Sequence, residues 1–191
     1  MSKPNTMLDN KGFTLWFTGL SSSGKTTLAL LISDRLKEHG YQNIEILDGD
    51  IVRTNLSKGL GFSKEDRMTN MRRVGFVCHL LTRNGVPNIA ALISPYAEIR
   101  DEIRTKIGNF IEVYIKCSLE ACEKRDVKGL YKKARAGFIK DFTGIDSPYE
   151  PPINPDVICD SEKENPEQCA DKIIDKIKSL GYFSTNMENS F

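Results

Sequence analysis

The sequence predicts a parallel α/β fold, in which a sheet of about five strands is flanked by helices. Short apolar segments alternate with segments of helical spacing along the chain, the order that repeated βαβ units produce. The length of 191 residues allows one domain with a full core and is too short for two ordinary domains. We therefore expect a single domain over residues 1–191.

The first half of the chain predicts three strands and two helices. Phe13–Gly19 is rich in β-branched and aromatic residues and ends at a glycine, as a buried strand does. Lys25–Glu38 has apolar residues at helical spacing before a glycine stop. Asn43–Asp50 is a second apolar strand, and it ends in carboxylates. A polar stretch follows, then a helix over Lys64–Arg83 and a strand over Val86–Pro95, which the proline ends.

The second half continues the alternation. The patterns predict a short helix over Ala97–Ile107, a strand over Phe110–Cys117 and a helix that begins at Ser118. A fifth strand is predicted over Pro155–Asp160, and an amphipathic helix over Pro166–Phe183 closes the fold. The inward residues of this last helix are Ile173, Ile174, Ile177 and Leu180. Residues 184–191 predict a frayed tail.

A long basic segment separates the fourth and fifth predicted strands. Five lysines and arginines lie between Lys128 and Lys140, and turn residues and prolines follow. The segment is too polar for the core and too long for a simple connection, and long connections of this kind are often lids. We interpret residues 126–150 as a lid and call them the lid segment.

Composition excludes several classes of protein. The net charge is +1, so no global field attracts nucleic acid or an anionic membrane. No apolar stretch is long enough to span a bilayer, and the N-terminus has no apolar signal core. We therefore expect a cytoplasmic protein. Five cysteines form no CxxC pair, which argues against a zinc site or a disulfide framework and favours reduced, partly buried thiols.

The segment between the first strand and the first helix has the pattern of a phosphate-binding loop, GxxxxGK[ST]. Its glycines let backbone N–H groups point at phosphate oxygens, and the following helix N-terminus adds partial positive charge. We expect Lys25 to reach the β- and γ-phosphates of ATP and the Thr26 hydroxyl to take a place on Mg²⁺. The predicted nucleotide-binding residues are Gly19, Leu20, Ser21, Ser22, Ser23, Gly24, Lys25, Thr26 and Thr27. This pattern defines the P-loop NTPase type of three-layer fold.

Two carboxylates, Asp48 and Asp50, follow the second predicted strand. The carboxyl ends of parallel strands share one edge of the sheet with the phosphate loop, and ligands bind at that edge. One carboxylate can orient a hydroxyl to be phosphorylated while the other holds metal-bound water, which suits phosphoryl transfer to a small molecule. Without the phosphate loop, a simple Asp-Gly turn is the more frequent interpretation. The guanine-binding NKxD motif of regulatory GTPases is absent from the sequence.

Four segments, taken together, resemble a known family. GLSSSGKTT, LDGDIVRTNLSKGLGFSKEDRMTNMRRVGFV, ISPYAEIRD and RDVKGLYKKARAGFIKDFTGIDSPYEPP occur in the order and spacing of adenylyl-sulfate (APS) kinases, from about Lys11 to Tyr182. The resemblance implies transfer of the γ-phosphate of ATP to the ribose 3′-hydroxyl of adenosine 5′-phosphosulfate (APS), with Mg²⁺. It also implies a homodimer. Two alternatives stay open: a kinase of a related nucleoside phosphosulfate or phosphoramidate, and a non-catalytic nucleotide-sensing module.

The resemblance assigns catalytic and anion-binding roles. It implies that Asp50 accepts or orients the 3′-hydroxyl proton beside Lys25, and that Asp48 supports the magnesium shell. Arg53 and Arg67 would grip the phosphosulfate, because a planar guanidinium can fork onto two oxygens.

The resemblance also assigns contacts to the two bases. Phe62 and Phe142 would stack on the two faces of the APS adenine, and Asn70 would bind polar atoms of adenine or ribose. Lys128 would close from the lid segment onto the substrate. Arg125 lies where the family packs against the adenine of ATP.

Ile93 and Ser94, after the third predicted strand, match a substrate contact whose serine the family describes as a phosphorylated intermediate. Direct in-line transfer needs no such intermediate, so we expect Ser94 to be a contact first and a covalent carrier only as the weaker alternative. The sequence departs from the commoner family pattern at Ser22, Ile51, Ala97 and Asp141, where glycine, asparagine, arginine and glycine are usual. Asp141 adds negative charge beside the substrate aromatic, which bears on substrate affinity.

Overall fold

The computed structural model describes residues 11–183 and contains a five-stranded sheet, as the sequence predicted. The strands are β1 (Thr14–Thr18), β2 (Glu45–Asp48), β3 (Asn88–Ala91), β4 (Phe110–Lys116) and β5 (Val157–Asp160). They lie in the order β2-β3-β1-β4-β5, and every neighbouring pair is parallel. The chain leaves β1 toward β2 and β3 on one side and later toward β4 and β5 on the other. The reversal of direction leaves a crevice at the carboxyl end of β1, where ligands bind in such sheets.

Helices cover both faces of the sheet. They are α1 (Lys25–Glu38), α2 (Gly49–Asn55), α3 (Lys64–Arg83), α4 (Ala97–Ile107), α5 (Leu119–Arg125), α6 (Leu130–Arg135) and α7 (Pro166–Ser179). Helix α1 has the bounds that its apolar spacing predicted, and α3 and α4 agree with the approximate bounds predicted for them. The lid segment contains α6 and irregular turns.

The two larger layers of the core meet at β1. Leu15 and Phe17 are fully buried in the cluster beneath α1 and α7, whereas Trp16 is fully buried in the cluster beneath α3 and α4. Alternate residues of a strand point to opposite faces, so β1 contributes to both layers. Fully burying one such side chain contributes about 1.5–3 kcal/mol. The phosphate loop therefore follows the most deeply anchored strand of the sheet.

A third buried cluster contains Tyr131, Ala134 and Phe142 of the lid segment. The expectation that this segment is too polar for the core is therefore wrong for part of it.

Two sequence-based expectations about elements are wrong. The second strand ends at Asp48, and Gly49–Asn55 forms a helix that was not predicted, so Asp50 lies in the first turn of α2. The cause is local: the Asp48 side chain accepts a hydrogen bond from the backbone N of Asp50 and caps this helix. Leu180 is about half exposed rather than inward, because α7 ends at Ser179.

All five cysteines lie within the described residues, where each is buried and unpaired. Within residues 11–183, no helix is both long enough and apolar enough to cross a bilayer. The tail predicted at residues 184–191 lies outside the described part of the chain.

Candidate active site

A cavity of about 630 Å³ lies at the carboxyl edge of the sheet, between the phosphate loop, α2, α3 and the lid segment. Its volume falls in the usual range for small-molecule sites. The predicted site residues that line it are Ser21, Ser22, Gly24, Lys25, Thr26, Thr27, Asp48, Asp50, Arg53, Phe62, Arg67, Asn70, Ile93, Ser94, Arg125, Lys128 and Phe142. Four predicted residues, Gly19, Leu20, Ser23 and Asp141, lie outside the lining. A second groove of about 420 Å³, between α1 and α7, contains none of the predicted residues.

The backbone of the phosphate loop requires glycine at both ends. A Cβ on Gly19 would lie 2.6 Å from the carbonyl oxygen of Ile115, so any side chain there would displace the loop from β4. Gly24 has a φ of 106° and precedes the first turn of α1. No side chain caps this turn, which leaves its N–H groups free to bind an anion.

Lys25 is folded against the loop that it would serve. Its Nζ donates to the carbonyl oxygens of Gly19 at 3.0 Å and Leu20 at 2.6 Å. Burial lowers the pKa of Lys25 to about 8, because a buried ammonium loses hydration. Gly19 and Leu20 thus position the lysine without lining the cavity. A triphosphate would offer this ammonium a better partner than two neutral carbonyls.

Thr26 and Asp48 form the oxygen pair expected of a magnesium site. The Thr26 Oγ1 donates to Asp48 Oδ2 at 2.8 Å, while Asp48 Oδ1 accepts from the backbone N of Asp50 at 3.0 Å. A hydroxyl and a carboxylate at the edge of a phosphate loop are hard oxygen donors, and they leave room for phosphate and water ligands. This donor set fits Mg²⁺.

Asp50 lines the cavity next to Asp48 and is exposed. Its carboxylate forms an ion pair with Lys128 of the lid segment. The pair connects the first turn of α2 to the lid segment, so two residues from distant parts of the sequence meet at the site. The structure therefore brings a carboxylate and a lid ammonium to one point of the cavity.

The two predicted anion-binding arginines surround Phe62. The Arg53 guanidinium lies 4.3 Å from the ring centre of Phe62, a cation–π contact. Arg67 is buried; its Nε donates to the Phe62 carbonyl at 2.9 Å and its Nη2 donates to the Asp141 carbonyl. Burial lowers the pKa of both Arg53 and Arg67. Arg67 therefore ties Phe62 to the residue before Phe142, which fixes the two aromatic segments relative to one another.

The two aromatics differ in exposure although both line the cavity. Phe142 is buried and meets the ring of Tyr131 edge to face, with 5.0 Å between ring centres. Phe62 is 48% exposed, at the open side. Asn70, one turn after Arg67 on α3, is buried, and its Oδ1 has no hydrogen-bond partner among residues 11–183. Phe62, Asn70 and Phe142 all line the same cavity.

The Ser94 hydroxyl is held by the protein interior. Its Oγ accepts a hydrogen bond from Trp16 Nε1 at 2.9 Å and lies 3.1 Å from the sulfur of Met71. Arg100 donates to the Ser94 carbonyl at 2.7 Å, and the backbone there has a φ of 48°. This environment suits a fixed contact better than a covalent carrier, because a carrier needs an adjacent base.

Arg125 is held by two hydrogen bonds, and Ser22 and Asp141 have a backbone conformation that favours glycine. Arg125 donates to the Oγ and the carbonyl of Ser161, at 3.0 and 2.6 Å. Ser22 has a φ of 60° and Asp141 a φ of 56°, the left-handed region that favours glycine. Glycine is the usual family residue at both positions. This chain therefore keeps a backbone conformation that suits glycine, although it carries a side chain there.

Sequence reasoning missed nine residues that line the cavity, namely Gly49, Met71, Ala91, Leu92, Pro95, Val127, Leu130, Ile139 and Thr143. Most are apolar and carry no chemical pattern that marks them in a sequence. Thr143 differs, because it directly follows Phe142 and is almost fully buried in a polar segment. Its position beside a predicted aromatic wall was the one signal available.

A phosphate loop after the central strand of a parallel sheet, with a carboxylate at the end of β2, two strands away at the same edge, and a basic lid segment lining the same cavity, defines a P-loop phosphotransferase. Residues 11–160 match the family model described as adenylylsulphate kinase. The adenylyl-sulfate kinase of Rippkaea orientalis is 59% identical over 177 residues, which cover 93% of this chain and 97% of that protein. The chain belongs to the adenylyl-sulfate kinase family.

Solved structures agree with this assignment. The APS kinase of Mycobacterium tuberculosis, solved in complex with AMPPNP and APS, is 44% identical with a TM-score of 0.83 and covers 88% of this chain and 98% of its own. The hexameric APS kinase from Thiobacillus denitrificans is 34% identical with a TM-score of 0.70, and the match covers 92% of this chain but 30% of that one. The same fold therefore also occurs within a longer chain.

Proposed function

We propose that this chain is an ATP-dependent kinase that phosphorylates the 3′-hydroxyl of APS, giving 3′-phosphoadenosine 5′-phosphosulfate and ADP in sulfate activation. One observation carries the proposal: a single cavity is lined by the phosphate loop, by Asp50 and by two phenylalanines, Phe62 and Phe142. The relatives named adenylyl-sulfate kinase, and the M. tuberculosis enzyme that binds AMPPNP and APS, support the same reaction.

On the donor side, the loop N–H groups and Lys25 hold the β- and γ-phosphates of ATP. Thr26 and Asp48 are the residues that would hold Mg²⁺, directly or through water. The metal ion, when bound, supplies positive charge to the β- and γ-phosphate oxygens. Arg125, fixed by Ser161, flanks the adenine of ATP.

On the acceptor side, Asp50 accepts the proton of the 3′-hydroxyl as that oxygen attacks the γ-phosphorus. The bond between the γ-phosphorus and the bridging oxygen breaks, and ADP leaves. Lys128 moves from Asp50 toward the transferred phosphoryl group as the lid segment closes. Arg53, with the remaining Nη1 of Arg67, binds the phosphosulfate, while Phe62 and Phe142 enclose the adenine.

We further propose that the chain acts as a homodimer in the cytoplasm. Five buried, unpaired cysteines support a reducing compartment. A hexameric relative supports assembly of this fold into oligomers. Light scattering after size exclusion measures the mass: about twice that of the 21.5 kDa chain supports the dimer, and the mass of one chain contradicts it.

Radiolabelled ATP tests the reaction. With [γ-³²P]ATP, APS and Mg²⁺, the label is expected on the 3′-oxygen of the product, mapped by nuclease digestion. Nucleoside phosphosulfates with other bases and a phosphoramidate analogue of APS serve as competing acceptors. Faster turnover of one of those acceptors would identify the related-nucleotide kinase, and tight ATP binding with no acceptor turnover would identify a sensing module.

A further inference from the structure

Two buried polar side chains that line the cavity have no hydrogen-bond partner within the described part of the chain. Among residues 11–183, four buried side-chain atoms have no hydrogen-bond partner, namely Ser57 Oγ, Asn70 Oδ1, His79 Nδ1 and Thr143 Oγ1. Only Asn70 and Thr143 of these four line the cavity, where they are 6% and 1% exposed. An unpaired buried hydroxyl or amide costs about 1–3 kcal/mol. Both groups are therefore explained if a ligand completes their hydrogen bonds.

The surroundings of these groups indicate the chemistry of that ligand. Thr143 directly follows Phe142, and Asn70 lies one turn after Arg67, which holds the backbone of both aromatic segments. Aromatic walls with neutral polar groups beside them match a flat heterocycle with donors and acceptors at its rim. Sulfate and ionised phosphate oxygens only accept hydrogen bonds, so they cannot satisfy the Asn70 carbonyl oxygen, which needs a donor.

The backbone that carries the Thr143 hydroxyl is held in place by a tight turn. The backbone N atoms of Ile145 and Ser147 donate to the Phe142 carbonyl at 3.0 and 3.2 Å, and Gly144 N donates to the Ser147 carbonyl at 2.8 Å. A Cβ on Gly144 would meet Leu20 at 3.1 Å, so the turn packs against the phosphate loop. The backbone at Thr143 is thus preorganised, which lowers the cost of ordering this residue on binding.

We propose that the Thr143 hydroxyl hydrogen-bonds the rim of the acceptor's nucleobase and, together with Asn70, determines which base the cavity accepts. The inference rests on the proposed function, since it takes the acceptor to be a nucleotide bound between Phe62 and Phe142. The Asn70 Oδ1 accepts a hydrogen bond, as an exocyclic amino group requires. A base with a carbonyl in that place would set two acceptors against each other, and sites with such mismatches discriminate strongly.

Steady-state kinetics of wild type, Thr143→Val and Thr143→Ser test the proposal, with APS and inosine 5′-phosphosulfate as acceptors. Valine keeps the shape and removes the hydroxyl, whereas serine keeps the hydroxyl. We expect Thr143→Val to raise the KM for APS about tenfold, the effect of one buried hydrogen bond. In the valine variant the KM for ATP and the melting temperature should stay unchanged, while the preference for APS over the inosine analogue narrows. Thr143→Ser should keep the low KM for APS.

Two results would overturn the proposal. One is a valine variant with wild-type KM for APS and wild-type preference between the two acceptors. The other is a valine variant in which the KM for ATP rises together with the KM for APS and the melting temperature falls, because that pattern marks a structural role only. If the valine variant does not fold, Thr143→Ala repeats the measurement. A wild-type protein that does not turn over APS removes the proposed function, and this inference with it.

Discussion

At the scale of single residues, Lys25 combines burial with a positive charge. Burial lowers its pKa to about 8, so the folded protein releases this proton at a lower pH than the unfolded chain does. The charged form is then costly in the free protein. Stability is reduced below about pH 8 and is regained as the pH rises from about 8 toward the unfolded value near 10.4. The phosphate oxygens of a bound nucleotide should raise the pKa of Lys25 again.

ATP binding is therefore expected to take up protons at mildly alkaline pH. At pH 8.5 the free protein holds Lys25 mostly neutral, whereas bound triphosphate favours the ammonium, so roughly three quarters of a proton enters per nucleotide. Titration calorimetry in buffers of different ionisation enthalpy measures this number. In Lys25→Arg the guanidinium stays charged and the uptake should vanish; equal uptake in the variant would show that another group titrates.

Ser22 allows a second test at this scale, because its φ of 60° places a side chain where glycine is favoured. Ser22→Gly is expected to raise the free energy of unfolding by about 0.5–1 kcal/mol, since it relieves left-handed strain. Ser21→Gly is the matched control, because Ser21 is not among the residues with positive φ, and it should lower stability. Urea denaturation measures the free energy of unfolding of both variants. A lower value for Ser22→Gly than for wild type would show that Ser22 is not strained.

At the scale of elements, α3 carries Arg67 and Asn70 and packs against α4. A Cβ on Gly75 of α3 would lie 2.8 Å from Cγ1 of Ile103 on α4. The two helices can approach this closely only because the position has no side chain. The distance between α3 and α4 thus sets where the arginine and the amide enter the cavity.

Gly75→Ala should lower the free energy of unfolding by about 1–2 kcal/mol, because overpacking against Ile103 outweighs the gain in helix propensity. In an Ile103→Ala background the clash is removed, so the same substitution should be neutral or stabilising. Chemical denaturation of the four proteins of this cycle gives the coupling energy. Equal effects of Gly75→Ala in both backgrounds would show that the helices do not meet there.

The elements also show what sequence patterns can predict. The apolar spacing of α1 and its glycine stop predicted both ends of that helix, and the approximate bounds predicted for α3 and α4 also agree with the structure. Helix α2 was missed, since seven residues with Asp48 as cap contain too little periodicity. Leu180 was misplaced because the periodic pattern continues for one residue beyond the end of α7. Local signals therefore predict long elements well and short capped ones poorly.

At the scale of the whole molecule, the motifs of the phosphate loop and of Asp48 and Asp50 predicted one edge of the sheet as the site. The structure collects seventeen of the predicted residues around one cavity there. Contacts that depend on folding were beyond the sequence: the Lys128 ion pair with Asp50, the Arg67 contacts to two carbonyls, and the Trp16 hydrogen bond to Ser94. Apart from the bond between Arg67 and the Phe62 carbonyl, each contact joins residues that are distant in the chain, and only the strand order β2-β3-β1-β4-β5 and the path of the lid segment bring them together.

The central claim is that Asp50 takes the proton of the acceptor hydroxyl between two nucleotides in one cavity. Single-turnover transfer from [γ-³²P]ATP to APS by Asp50→Asn tests it most directly, with Asp101→Asn, at an exposed position of α4, as the control. We predict that Asp50→Asn binds ATP within about threefold of wild type and transfers phosphate about 10²–10⁴-fold more slowly, while the control is unaffected. Transfer by Asp50→Asn at the wild-type rate would contradict the claim.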